Sequence, residues 1–170
     1  MKKLFFLFTF SVLTLLIACN KTDSSNNPTP TPTPTSKCQN GGTLVNGVCE
    51  CPFGYEGDYC DIESRLKFVG IFKGQQSYNG NSAKYREYEI KKTNGVTKIR
   101  IYGSNGGVEM EADLTDVNKI KIPKQEYVWG TEVVDIVGNG SLKGSTLTLN
   151  YSIKAQLDGT TLTYTFTGVK

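Results

Sequence analysis

Apolar and polar residues alternate with a period of two through most of the region 65–170. In the segment 108–114, Val, Met, Ala and Leu occupy every second position with acidic residues between them, and the segment 147–153 repeats the pattern with Thr, Asn and Ser between its apolar residues. Because successive side chains of a β-strand point to opposite faces, each such segment predicts a strand with one buried face. Similar alternation occurs in the segments 68–72, 85–91, 97–102, 119–122, 131–137 and 161–167. Together, these segments predict about eight strands and no helix.

Turn sequences separate these predicted strands, namely Asn94-Gly95, Asn105-Gly106-Gly107, Asn139-Gly140 and Asp158-Gly159. Strands that follow one another through tight turns form an antiparallel meander, which closes as a small barrel or folds as a sandwich. Eight strands of roughly six or seven residues leave no room here for long loops. The predicted fold class is therefore all-β, and the inward side chains are expected to form a packed core rather than a pocket.

Four of the five cysteines, Cys38, Cys49, Cys51 and Cys60, lie in one short segment that is rich in glycine and poor in large apolar residues. A segment of this size cannot build a sufficient hydrophobic core, so it depends on disulfide bonds. Four cysteines allow three pairings. Joining Cys49 to Cys51 would close a very tight loop, which disfavours one pairing and leaves two open.

The spacing of residues 49–60, C-x-C-x-x-G-Y-x4-C, resembles the C-terminal half of an EGF-like domain, and the CQNGGT that starts at Cys38 resembles an earlier part of the same family. By this resemblance, the chain lacks the two cysteines that bond to each other as first and third in the family. The resemblance implies the disulfides Cys38–Cys49 and Cys51–Cys60. It also places Leu44 at the position of the missing third cysteine, where we expect it to fill part of the vacated volume.

Three further residues occupy positions of this family: Gly54 and Gly57 as turn glycines, and Tyr55 as a packing aromatic. Asn46-Gly47 predicts a hairpin turn before Cys49. Calcium-binding members carry acidic and amide ligands before the first cysteine, where this chain has TPTPTSK. The segment also lacks the paired C-x-x-C of four-cysteine zinc sites. No metal site is expected.

The N-terminus has the order of a secretory signal, with two lysines, an apolar run and an alanine before Cys19. Its last residues, LIAC, resemble the lipobox of bacterial lipoproteins, in which a peptidase cuts before the cysteine and the cysteine carries the lipid. The resemblance implies a signal peptide over 1–18 and a lipidated Cys19, whose two or three acyl chains attach the protein stably to a membrane. Asn20 favours the outer membrane, since lipoproteins kept in the inner membrane typically carry Asp there. Periplasmic face and cell surface both stay open.

Residues 19–37 comprise the lipidated cysteine and a predicted stalk. Its sequence, KTDSSNNPTPTPTPTSK from residue 21, has no apolar side chain able to pack. Such a composition stays disordered, and its Thr-Pro repeat favours extended polyproline structure. We interpret it as a spacer.

The charge distribution separates the two predicted folded regions. Residues 38–64 contain five acids and no Lys or Arg, whereas the region 65–170 carries 15 basic and 10 acidic residues. The opposite signs allow weak mutual attraction. Nucleic acid is not an expected partner, because the basic residues alternate with acids rather than forming runs with aromatics.

Few residues of the region 65–170 suggest a site, and the chain has no histidine to act as a general base. Glu87 and Glu89 share a strand face with Tyr85, but without an acid–base partner a solvated face is expected. The glycine-rich segment 103–107 joins two strands and predicts a turn. Trp129 beside Tyr127 is the candidate contact for a glycan or a protein, with a plug at one end of the sheet as the alternative. No catalytic residue and no cofactor is expected.

We interpret 38–62 as an EGF-like module and 65–170 as an antiparallel β domain. In texture and segment order, the second region resembles the lipocalin-like β domains of small exported lipoproteins of the Bacteroides group. The expected function is non-catalytic binding of a protein or glycan at the cell envelope, with membrane attachment through Cys19. The alternatives are a lipocalin-like carrier of an apolar ligand and, least favoured, a carboxylate-dependent enzyme.

Overall fold

The computed structural model describes residues 38–104 and 107–170. The predicted signal peptide, Cys19 and the predicted stalk lie outside the described residues, as does part of the predicted turn at Asn105-Gly106-Gly107. The elements, in chain order, are β1 (Thr43–Val45), β2 (Val48–Glu50), β3 (Tyr55–Glu56), β4 (Ile62–Glu63), a 3-10 helix (Ser64–Lys67), β5 (Gly70–Tyr78), β6 (Lys84–Lys92), β7 (Lys98–Gly103), β8 (Glu109–Asp116), β9 (Lys119–Trp129), β10 (Glu132–Lys143), β11 (Thr146–Ala155) and β12 (Thr161–Val169).

Strands β5 to β12 form a closed antiparallel barrel in which each strand pairs with its neighbours in sequence. The last strand, β12, closes the barrel by pairing with β5, from Tyr164↔Tyr78 to Val169↔Lys73. This confirms the all-β prediction with eight strands, and of the two predicted architectures the barrel is the one that forms.

The prediction of a turn at Asn139-Gly140 is wrong, because both residues lie inside β10. The hairpin turn comes later, at Gly144, whose φ is 59°. Gly140 faces the barrel interior, where a Cβ atom would lie 2.7 Å from Leu149 and 2.9 Å from Ile120. The glycine therefore allows close packing of neighbouring strands, and β10 extends to 12 residues instead of ending at a turn.

The barrel interior is filled by alternate side chains of all eight strands and by Phe68, which precedes β5. The largest fully buried side chains are Phe68, Phe72, Phe166, Ile90, Ile99, Ile101, Met110, Ile120, Ile122, Ile136, Leu147 and Leu149. Burial of this apolar surface, at roughly 25 cal/mol per Å², is the main source of stability for the barrel.

The up-and-down order gives the barrel two distinct ends. The 3-10 helix enters at the end that also holds the β6–β7, β8–β9 and β10–β11 turns, and we call this the module end. The β5–β6, β7–β8, β9–β10 and β11–β12 connections lie at the opposite end, which we call the open end.

Residues 38–63 form a small disulfide-bonded module of two hairpins, β1–β2 and β3–β4. The predicted turn at Asn46-Gly47 forms with positive φ at both residues, 51° and 82°. The expectation for Leu44 is wrong. Its side chain is 47% exposed, because it lies on a two-stranded hairpin opposite Cys49 and has no interior to fill.

Arg65 joins the module to the barrel. Its side chain is buried, its Nε donates to Glu63 at 2.7 Å, and its Nη1 lies against the carbonyl oxygens of Thr93, Gly95 and Lys98 at the β6–β7 turn. The hydrogen bond from Arg65 lowers the pKa of the Glu63 carboxyl. One guanidinium thus donates to several main-chain acceptors of the turn.

Candidate ligand-binding site

The packed core stops short of the open end, where the barrel interior widens into a cavity of about 210 Å³. We call it the open-end pocket. Gln76, Tyr88 and Tyr151 form its floor, and Lys84, Arg86 and Trp129 stand around its mouth. The floor side chains come from the consecutive strands β5 and β6 and from β11, which closure of the barrel brings close to them.

A ring of hydrogen bonds forms the floor. The Tyr88 hydroxyl lies 3.4 Å from the Gln76 carbonyl oxygen, the Gln76 amide donates to the Tyr151 oxygen at 2.9 Å, and the two phenol oxygens are 2.8 Å apart. If Tyr151 donates to Tyr88, each of the three groups donates once and accepts once around the ring. These polar groups are therefore satisfied without water, which suits their position directly above the apolar core.

Aromatic stacking extends the floor into a wall. The Tyr164 ring stacks on Tyr151 at 5.0 Å with 11° between the planes, and Tyr78 continues the series at 6.0 Å from Tyr164. Below them, the Tyr88 ring meets Phe166 edge to face at 4.7 Å. Such pairs add about 0.5–1.5 kcal/mol beyond burial and hold the rings in defined positions.

Burial raises the pKa of Tyr88, Tyr151 and Tyr164 above the ordinary phenol value, and for Tyr151 the charge of a neighbouring Tyr88 phenolate would add to the effect. The hydroxyls of the pocket consequently stay protonated at neutral pH. They can donate hydrogen bonds, but they do not supply a base or a nucleophile.

Two cations line the mouth of the pocket, Lys84 and Arg86, both on β6. They continue the inward-facing series of this strand beyond Ile90 and Tyr88, so the strand's apolar face ends in positive charge. Neither side chain forms an ion pair within residues 38–104 and 107–170. The described residues that line the pocket include no Asp and no Glu.

The module carries the other residues that the sequence singled out. Cys38 is bonded to Cys49 and Cys51 to Cys60, the same pairs that the family resemblance implies. Cys60 is fully buried. The Cα atoms of the two bridges are 5.6 and 5.2 Å apart.

Residues 32–60 match the family model of the EGF-like domain. The match includes residues 38–60 of the module and ends before β4, so the barrel lies outside it. Within the EGF-like module, Gly54 has φ of 100°, and a Cβ there would lie 3.0 Å from Val96 and 3.1 Å from Thr97 of the β6–β7 turn. A glycine at this position therefore lets the module contact the barrel closely. Gly57 has φ of 91°, and Tyr55 is half-buried at the start of β3, paired with Glu63.

No curated protein matches the chain. Two solved structures match it in part. One is a candidate outer membrane protein of Bacteroides fragilis, which is 15% identical over 63% of this chain with a TM-score of 0.43. The other is a redesigned β-barrel, which is 8% identical over 61% of this chain and 92% of its own length with a TM-score of 0.40. The chain spans about half, 52%, of the length of the Bacteroides fragilis protein.

Among the residues that the structure describes, no helix is both long and apolar enough to cross a membrane. Nor does any cluster of three or more His, Cys, Asp or Glu residues within 38–104 and 107–170 have the arrangement needed to hold a metal ion.

The structure separates the two aromatic residues predicted for binding. Trp129 lies at the mouth of the pocket and is 43% exposed. Tyr127 is instead partly buried against the barrel core. Lys84 and Arg86 were not selected from the sequence, because only the outward-facing acids were considered among the charged residues on β6. The phase of the alternation from Ile90 back to Lys84 was the signal that both cations face inward.

The pairing between β8 and β9 does not extend along the whole of β8. Strands β8 and β9 pair only from Asp113↔Lys121 to Asp116↔Lys119, so the main chain of β8 at Glu111 has no strand partner on that side. The Gln125 side chain takes that place. Its oxygen accepts from the Glu111 N–H at 2.8 Å, and its amide donates to the Glu111 carbonyl at 2.9 Å.

Proposed function

We propose that the chain is a lipid-anchored, non-catalytic binding protein of the bacterial cell envelope, and that the open-end pocket is its binding surface. The signal-like N-terminus that ends at Cys19 supports export and lipidation, and two disulfides suit an oxidising compartment. Asn20 supports the outer membrane. The partner is a glycan or the exposed end of a protein.

The observation that carries the binding proposal is the way the core ends. Large apolar side chains fill the barrel up to the ring of Gln76, Tyr88 and Tyr151, and above that ring the interior is open and lined by aromatic rings and cations. A concave site with a few polar groups placed on aromatic walls is the usual form of a ligand pocket.

Binding fits the pocket better than catalysis does. Its described lining residues include no His, Cys, Asp or Glu, which are the residues that most often act as bases and nucleophiles. Its buried tyrosines have raised pKa values and remain neutral. The polar groups that remain are phenols, an amide, the Ser104 hydroxyl and two cations, and all of them can hold a ligand.

An apolar carrier is less well supported. The cavity of about 210 Å³ is smaller than the roughly 300–1,000 Å³ of ordinary small-molecule sites, and its floor is a ring of hydrogen-bonded polar groups. A lipid-sized ligand would need the space that Phe72, Phe166 and their neighbours occupy.

Anchoring is tested on the N-terminal peptide of the protein isolated from cells. We expect this peptide to begin at Cys19 and to carry the mass of a diacylglycerol with or without an N-acyl chain, and a Cys19→Ser variant to lose all labelling by an alkyne fatty acid. An unmodified cysteine would overturn the anchor. Protease treatment of intact and lysed cells then separates the cell surface from the periplasmic face.

Binding is tested by nuclear magnetic resonance on the mature full-length protein in neutral detergent. Trp129 is the only tryptophan of the chain, so its indole N–H gives one signal at the mouth of the pocket. We expect at least one sugar or aromatic probe of a small panel to shift that signal saturably. The matched control is Val128→Ala, which changes the neighbour of Trp129 and should leave the shift unchanged. The Val128 side chain is 64% exposed. Absence of any saturable shift across the panel would overturn the proposed function.

A further inference from the structure

The open-end pocket has a one-sided charge. Lys84 and Arg86 bring two positive charges to its lining, and no described acid stands among the lining residues to neutralise them. The nearby acid of β6, Glu87, lies on the outward face and contacts Lys73 at 3.6 Å and the Tyr85 hydroxyl at 3.1 Å. The cations are therefore available to a ligand.

The two cations differ in how firmly they are held. Lys84 is exposed at the start of β6, whereas Arg86 is half-buried and lies deeper in the pocket. Burial raises the pKa of Tyr88, and the nearby charge of Arg86 partly opposes this effect by lowering it. A guanidinium presents a planar fork that matches a carboxylate with two parallel hydrogen bonds. Beside aromatic walls, which keep water away, such a bond is stronger than it would be in open solvent.

The aromatic side chains around the cations define the rest of the ligand. Tyr164 lies between Tyr151 and Tyr78, and the exposed aromatic side chains of the lining are Tyr78 and Trp129. Both are surfaces on which a flat or saturated ring can lie. The cavity of about 210 Å³ has room for one such ring and its substituents, not for a chain of them.

We propose that the open-end pocket binds a single ring that carries a carboxylate, with the carboxylate on Arg86 and Lys84 and the ring against Trp129. This inference rests on the proposed function and specifies the ligand class. Two sources share this chemistry, the acidic sugar at the end of a glycan and a free aromatic acid. The described lining residues include no acid, which discriminates against cationic ligands because their charge would stay unpaired.

The test compares acids with neutral amides of the same shape, following the Trp129 indole signal. The probes are D-glucuronate against D-glucuronamide and benzoate against benzamide. We expect an acid to bind at least about tenfold more tightly than its amide, since a hydrogen bond to a charged group contributes about 1.5–3 kcal/mol. The affinity for the acid should fall as salt is raised. Binding by glucuronate alone identifies the glycan source, and binding by benzoate alone identifies the aromatic acid.

Charge-removing variants locate the anion. Arg86→Gln and, separately, Lys84→Gln should weaken binding of the acid by about tenfold or more without changing that of the amide. Lys154→Gln, which removes an exposed cation from the outward face of β11, should leave both unchanged. Unfolding midpoints are measured for each variant, and Lys84→Gln keeps the test valid if Arg86→Gln does not fold.

The outcomes distinguish the two proposals. Equal affinity for acid and amide, or acid binding that is unaffected in both variants, overturns the carboxylate inference while the binding function stands. If no probe of either charge shifts the indole signal, both fail.

Discussion

The phenol oxygens of Tyr88 and Tyr151, 63 positions apart in the chain, lie 2.8 Å from each other across the barrel interior. The amide of Gln76 completes their ring of hydrogen bonds. Because all three groups are withdrawn from bulk water, removing one of them leaves the others with unsatisfied polar atoms.

Tyr151→Phe should lower the free energy of unfolding by about 1–3 kcal/mol, because Gln76 and Tyr88 both lose a partner in a buried setting. Tyr164→Phe is the matched control. Its ring stacks on Tyr151, but its hydroxyl is not part of the hydrogen-bonded ring, so its loss should cost less than about 0.5 kcal/mol. Urea unfolding measures both, and equal costs for the two variants would contradict a structural role of the ring.

Alkaline pH should destabilise the protein through its buried tyrosines Tyr88 and Tyr151. The pKa values of Tyr88 and Tyr151 are raised from the ordinary 10.0, so above that pH the unfolded chain loses phenol protons that the folded chain keeps. The unfolded state then binds fewer protons, and stability falls as pH rises. The contribution is complete below pH 10.0 and lost as pH climbs through the folded values.

Urea unfolding from about pH 8 to about pH 11 should show this decline in the free energy of unfolding. The double variant Tyr88→Phe/Tyr151→Phe should show a smaller decline. An ultraviolet titration provides a second measurement. Ionisation of all nine tyrosines while the barrel remains folded would contradict the raised values.

Arg65→Ala should cost about 2–4 kcal/mol, since it removes a buried guanidinium and leaves the carbonyls of Thr93, Gly95 and Lys98 without their donor. Arg100→Ala is the comparison. Arg100 pairs with Glu109 and Glu111 on the barrel surface, and such exposed pairs contribute less than about 1 kcal/mol. Urea unfolding gives the costs, and hydrogen exchange in residues 93–98 should accelerate only in the Arg65 variant. Similar costs for both arginines would argue against the junction.

Gln125→Ala should loosen the contact between β8 and β9 and lower the free energy of unfolding by about 1–2 kcal/mol, because the main chain of Glu111 loses both of its hydrogen bonds to this side chain. Hydrogen exchange of the Glu111 amide should become faster. Gln75→Ala changes an exposed glutamine of β5 and should leave that amide protected. An unchanged exchange rate in the Gln125 variant would show that this side chain does not protect the Glu111 amide.

Non-reducing peptide mapping should recover Cys38 linked to Cys49 and Cys51 linked to Cys60. Since Glu50 is the one residue between Cys49 and Cys51, cleavage after glutamate separates the two bridges. Recovery of Cys49 linked to Cys60 would refute both the geometry of the module and its EGF-like alignment. Replacing Cys51 and Cys60 together by alanine should destabilise the module by about 2–4 kcal/mol.

Most of the fold could be predicted because strand periodicity is a local property. The alternation in 108–114 and 147–153 identifies strands without reference to anything else in the chain. Gly140 shows the limit, since Asn-Gly is a turn signal in isolation, and only Leu149 and Ile120 of the neighbouring strands reveal that the glycine makes room for packing.

The candidate site was harder to predict, because its parts come from different strands. Trp129 could be selected as a large aromatic near a turn, but Arg86 and Tyr164 line the same pocket only when the barrel closes. Arg65 carries no local sign that it will be buried, since its acceptors are carbonyl oxygens about thirty residues away.

Closure of the barrel by β12 against β5 pairs residues roughly ninety positions apart. Strand β5 is among the first barrel strands to leave the ribosome, and its free edge stays without a partner until the last strand arrives. During that interval the nascent chain presents two unpaired strand edges, which are the surfaces most prone to aggregation. Folding is accordingly expected to be slow for a protein of this size, and a chain cut short before Thr161 should fail to fold and should aggregate.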